Sequence, residues 1–198
     1  MIRSIRPLPM LASIGMITAI AAFAASGEVR AAEPEGLSGA LAARGKYLVT
    51  IAACNDCHTP MKAGPDGPEP DLQRMLSGHP ESRGVPTAPG PSGPWDIGIS
   101  GMTAWTGFWG TSFTANLTPD PETGLGKWTF RNFRDTIRSG RHLGRGRPVL
   151  PPMPIPMYRN FTDEDLAAVF AYLQSIPAVR NRVPEPLPPA AKQVADSR

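Results

Sequence analysis

The sequence holds only two cysteines in 198 residues, and both fall in one five-residue stretch, Cys54-Asn55-Asp56-Cys57-His58. No thiol is left for a separate structural disulfide. Histidine is scarce too, with three in all. His79 and His142 stand far apart and alone, so the partner pair that a zinc site beside the cysteines would need is missing. Net charge is small: the formal value is +3, and it falls to +1 without residues 1–31, which carry Arg3, Arg6, Arg30 and Glu28. A chain this near neutrality lacks the electrostatic footprint of a nucleic-acid binder. No internal repeat is present, and no βαβ pattern of the kind that houses a thioredoxin-like redox pair. The length suits one domain with a core of its own.

Apolar character is concentrated at the start. Residues 1–31 read as a secretory leader: Arg3 and Arg6 form a basic beginning, Leu8 to Ala25 is uncharged and apolar, and Val29-Arg30-Ala31 offers small residues for cleavage. The alternative is an uncleaved anchor, because the run approaches the ~18–20 residues that span a bilayer. Either way the remainder is expected outside the cytoplasm, in the periplasm. A domain is expected over residues 38–183, followed by a Pro-rich tail over 184–198 that is extended or disordered.

Within the domain three helices are legible. Ser38 is expected to cap the first, which runs through Leu41, Tyr47, Leu48 and Ile51 up to the cysteines, with Gly45 weakening it but allowing close packing. Thr129 caps a second, with Phe130, Phe133 and Ile137 on one face and Gly140 to end it. Thr162 caps the last, Asp163, Glu164 and Asp165 complement its positive start, Phe161 staples onto Leu166, and Pro177 stops it. Between the first and second helices, Ala63 to Gly126 turns to Pro, Gly, Ser and Thr around an aromatic group of Trp95, Trp105, Phe108, Trp109 and Phe113. With 24 prolines and 20 glycines in the chain, that stretch reads as an irregular insertion in an otherwise all-α fold.

The chemistry lies in Cys54, Cys57 and His58. On a helical turn, positions i, i+3 and i+4 project to one side, so two thiols reach two vinyl groups along one porphyrin edge while the imidazole meets the iron. One covalently bound haem c is therefore expected, with Cys54 and Cys57 as anchors and His58 as an iron ligand. An electron carrier fills the opposite iron position, whereas a haem enzyme or gas sensor leaves it open. Candidates for that position are His79, His142 and the methionines of Leu150-Pro151-Pro152-Met153-Pro154-Ile155-Pro156-Met157. Prolines stiffen this run, and a thioether suits iron that alternates between two charge states. If the run is extended, about 12 Å separates Met153 from Met157, so only one of them serves. Met153, between two prolines, is the favoured ligand. Arg131, Arg134, Arg138, Arg141, Arg145 and Arg147 either face solvent or neutralise an acidic partner or the haem carboxylates.

Taken together in order, Cys54-Asn55-Asp56-Cys57-His58, Asn116-Leu117-Thr118-Pro119-Asp120-Pro121-Glu122-Thr123-Gly124, Pro152-Met153-Pro154 and Thr162-Asp163-Glu164-Asp165-Leu166 resemble a family of bacterial cytochromes c. The resemblance runs from Tyr47 to Asn181 and is nearest to monohaem members related to the cytochrome subunits of periplasmic alcohol and gluconate dehydrogenases. It implies an all-α cytochrome c fold with the first and last helices packed around haem, and Met153 as distal iron ligand. It also implies one-electron transfer rather than catalysis, with a dehydrogenase as donor and an oxidase or another cytochrome as acceptor. The chain departs from the dehydrogenase subunits in having one C-x-x-C-H where those have several, and in its long insertion.

Overall fold

Helix α1 (Glu35–Ile51) and helix α5 (Asp163–Ser175) cross closely, and the crossing is possible because of one missing side chain. A Cβ placed on Gly45 would lie 1.9 Å from the carbonyl oxygen of Ala168 and 2.8 Å from the Cβ of Tyr172. Leu48 and Val49 of α1 pack there with Leu166, Val169 and Leu173 of α5, all of them buried. Helix α1 begins three residues before Ser38, the cap expected from the sequence. This computed structural model describes residues 35–85 and 96–189. The expected leader over 1–31, Trp95 and the end of the tail from 190 onward lie outside the described residues. Among the described residues, no helix is long and apolar enough to cross a membrane.

The other two expected helices form as their ends dictate. Thr129 caps α3 (Phe130–Ser139) through a reciprocal box with Asn132, and Gly140 closes it at a φ of 67°. Phe133 and Ile137 turn inward from α3. Thr162 Oγ1 accepts from Asp165 N to start α5, and extended Ile176, immediately before Pro177, ends it. Two of the three arginines of α3 reach the start of α5: Arg138 lies 2.6 Å from Asp163, and Arg134, paired with Asp135 at 2.8 Å, lies 3.8 Å from it, while Arg131 pairs within α3 with Asp135.

The expectation of an all-α fold is overturned by the insertion, which forms two small antiparallel sheets. Strands β1 (Met61–Gly64) and β2 (Gly67–Pro70) make one hairpin. Strands β3 (Gly98–Ser100), β4 (Ala104–Gly107) and β5 (Gly110–Phe113) make a three-stranded meander. The physical reason is that two-residue turns between glycines, Gly64 to Gly67 and Gly107 to Gly110, let short segments pair at once. Pro68 and Pro70 are tolerated in β2 because each strand of a two-stranded sheet is an edge.

The chain leaving α5 is fastened to this insertion. Asn181 is buried, its Oδ1 accepting from Arg74 and from Glu81 N, and its Nδ2 donating to the carbonyls of Ser77 and His79. Further on, Leu187 exchanges two backbone hydrogen bonds with Thr111 of β5, at 2.8 and 3.0 Å. Gly110 permits that approach, since a Cβ there would lie 2.0 Å from Leu187 O, and its φ of 96° disfavours any side chain. The described part of the Pro-rich tail is thus extended and held.

Candidate functional site

A cavity of about 520 Å³ lies between α1, α3, α5 and the insertion, within the size range of cofactor sites. Helix α2 (Cys54–His58) forms one side of it, set off from α1 by left-handed Ala53 at a φ of 56°. Cys54, Cys57 and His58 all line the cavity, and Met153 lines it as well. Leu48, Val169 and Leu173 supply apolar wall.

His58 is buried, and its Nδ1–H donates to the backbone carbonyl of Ala115 at 2.8 Å. A carbonyl only accepts, so the proton is fixed on Nδ1 and Nε2 is left with a free lone pair. Burial, opposed by this hydrogen bond, holds the imidazole below its ordinary pKa, so the ring is neutral, as an iron ligand must be. Burial likewise pushes the Cys54 thiol up to about 11 and raises Cys57. A thioredoxin-like pair needs a thiol shifted the other way. Tyr158, beside Cys54, donates its hydroxyl proton to Ala52 O, and burial pushes its phenol up to about 12.

The proline run is not extended as the sequence suggested. It turns at residues 151–153 and enters a short helix, α4 (Ile155–Tyr158). Pro156 fits the first turn of that helix because an N–H there has no intrahelical partner to lose. The twelve-ångström separation therefore does not apply, but the two methionines still part company: Met153 lines the cavity, whereas Met157 is 72 % exposed on α4.

The histidines also separate. His142 lines the cavity with its ring edge-on to Trp128, centroids 5.1 Å apart. His79 is fully buried away from the cavity, donating from Nε2 to Gly84 O at 2.8 Å and accepting at Nδ1 from Thr103 Oγ1 at 2.9 Å. Burial holds His79 below its ordinary pKa near 6.5. The unfolded chain therefore takes up a proton first as pH falls below 6.5, and stability drops until the folded pKa is reached. The urea midpoint should decline as pH falls below 6.5, and less steeply in His79→Gln. Equal slopes would show that His79 is not the group responsible.

Of the six clustered arginines, only Arg147 lines the cavity, and it pairs with Glu185 of the tail at 3.5 Å. Arg182 to Pro186 complete that side of the wall. The Asn116 segment has a definite task. Asn116 Oδ1 accepts from Thr118 N and Oγ1, and its Nδ2 donates to Val179 O at 2.8 Å, joining the cavity wall to the chain beyond α5. Three contributors escaped the sequence reading: the Ala115 carbonyl, Ser112 and the tail. A backbone carbonyl leaves no residue-type signal, although Ala115 directly precedes the Asn116 motif.

The donor set fits a haem: two unpaired thiols on one helical turn, a neutral imidazole oriented by its second nitrogen, and a thioether on the same apolar cavity. No family model matches the chain. It is 30 % identical over 177 residues to a nicotinate dehydrogenase subunit of Pseudomonas putida, covering 87 % of this chain and 12 % of that protein. It is 27 % identical over 158 residues to the cytochrome c subunit of a quinone alcohol dehydrogenase from Gluconobacter oxydans, covering 78 % of this chain and 26 % of that protein. The cytochrome c subunit of gluconate 2-dehydrogenase from Pantoea cypripedii matches at 29 % over 133 residues, 67 % of this chain and 22 % of that one. The chain thus spans about a quarter or less of the length of these relatives, and two of the three are cytochrome c subunits of dehydrogenases.

Proposed function

We propose that the chain is a periplasmic c-type cytochrome that carries one haem and acts as an electron carrier, not an enzyme. Cys54 and Cys57 would hold the porphyrin by thioether bonds, and His58 and Met153 would ligate the iron. The observation that carries this reading is that Met153, about a hundred residues from the Cys54-Cys57-His58 motif in sequence, lines the same cavity as those three side chains. When bound, the haem supplies a one-electron couple. The Ala115 carbonyl fixes the tautomer and orientation of His58. The apolar walls from α1 and α5 keep water from the iron, which limits reorganisation when its charge changes. A dehydrogenase is the donor that best suits the similarity to dehydrogenase subunits, with an oxidase or second cytochrome downstream.

The test is whether colour stays with the polypeptide. Protein made with a haem-attachment system should keep its absorbance after denaturation and acid-acetone extraction, with one pyridine-haem equivalent per chain. Extraction of all colour would end the proposal. Cys54→Ala with Cys57→Ala should convert retention into complete loss.

A further inference from the structure

The segment bearing Met153 is held on its C-terminal side by α4, where Ile155 N donates to Met153 O at 2.8 Å and Met157 N and Tyr158 N donate to Pro154 O, but it is poor in donors of its own. Pro151, Pro152 and Pro154 have no N–H, so Met153 is the one backbone donor among these four residues, and it reaches back to Leu150 O at 3.3 Å. Among the described residues, one side-chain hydrogen bond reaches Pro151–Pro154: Ser112 Oγ donates to Pro151 O at 2.5 Å. Ser112 is buried on β5, opposite Trp105 of β4. Its hydroxyl has a single proton, which goes to the near acceptor, Pro151 O, over Trp105 O at 3.3 Å. Its lone pair accepts from Trp109 Nε1 at 3.3 Å. Three residues along the same strand and its continuation, the Ala115 carbonyl holds His58.

Resting on the haem reading above, we infer that Ser112 is a positioning residue for the distal ligand, and that the insertion exists to clamp both ligand-bearing segments from one strand. Residue 112 fixes the carbonyl two positions before Met153, residue 115 fixes the imidazole of His58, and Trp109 holds the Ser112 hydroxyl to its task. The tail reinforces the clamp, because Leu187 pairs with Thr111 next to Ser112.

The test uses the full-length haem protein and titrates exogenous imidazole against the near-infrared sulfur-to-iron band of the ferric form. Ser112→Ala removes the donor while keeping the strand, and imidazole should displace Met153 at a concentration on the order of tenfold lower. Ser112→Thr retains the hydroxyl and should restore the wild-type titration. Trp109→Phe, which leaves Ser112 in place, should shift the titration in the same direction by less. A fall in reduction potential should accompany the shift in Ser112→Ala, since a loosened thioether favours the ferric form. An unchanged titration in both Ser112→Ala and Trp109→Phe, with haem still covalently attached, overturns the role of Ser112 and leaves the cytochrome reading intact. Colour extractable from the wild type overturns both.

Discussion

Met153→Ala is expected to abolish the near-infrared sulfur-to-iron band and to let carbon monoxide bind the ferrous protein readily, where the wild type resists it. Met153 is proposed as an iron ligand and not as a covalent anchor, and it lies outside the Cys54–His58 helix, so its loss reads out ligation rather than attachment. The reduction potential should fall by on the order of a tenth of a volt or more, within the ~0.8 V range that axial ligation commands. Met157→Ala should change none of these, since that side chain is exposed on α4 and away from the cavity. His142 is the competitor that the geometry keeps in view, because it shares the cavity. A band that persists in Met153→Ala would reassign the distal position, and strong ligand binding by the wild type would favour an enzyme or sensor over a carrier.

Gly45→Ala is expected to destabilise the protein by about 3 kcal/mol, lowering the urea midpoint by roughly 1–2 M. Helix propensity alone would predict a gain of up to ~1 kcal/mol from the same substitution. Packing wins because the added methyl would overlap the Ala168 carbonyl, and backbone at a helix crossing cannot rotate away as a side-chain tip can. Gly39, on the same helix with nothing within 4 Å of an added Cβ, supplies the internal control. Gly39→Ala should raise stability by up to ~1 kcal/mol. Equal responses at the two positions would mean that the α1–α5 crossing yields to an added methyl.

Much of the site was legible because its chemistry sits in residue types at short spacing. Cys54, Cys57 and His58 need only one helical turn to face the same way, and Met153 stands out among few soft ligands in a proline run. The caps at Thr129 and Thr162 were legible for the same reason, since each is satisfied within four residues. The insertion was misread. Its glycines and prolines mark turns, but whether segments between turns pair into strands depends on partners the local pattern does not name. The extended reading of residues 150–157 failed similarly: proline fixes φ, and that φ serves α4 as well as it serves an extended chain.

By itself, the sequence determined where two thiols, an imidazole and a thioether could be offered, and how α3 and α5 begin and end, because such properties are local. Only the tertiary structure decided that Ala115 orients His58, that Ser112 grips Pro151, and that Asn181 and Leu187 bind the tail to the insertion. Those contacts join residues 39 to more than 100 positions apart through backbone carbonyls that every residue possesses, so nothing in residue identity announces them until the chain has folded.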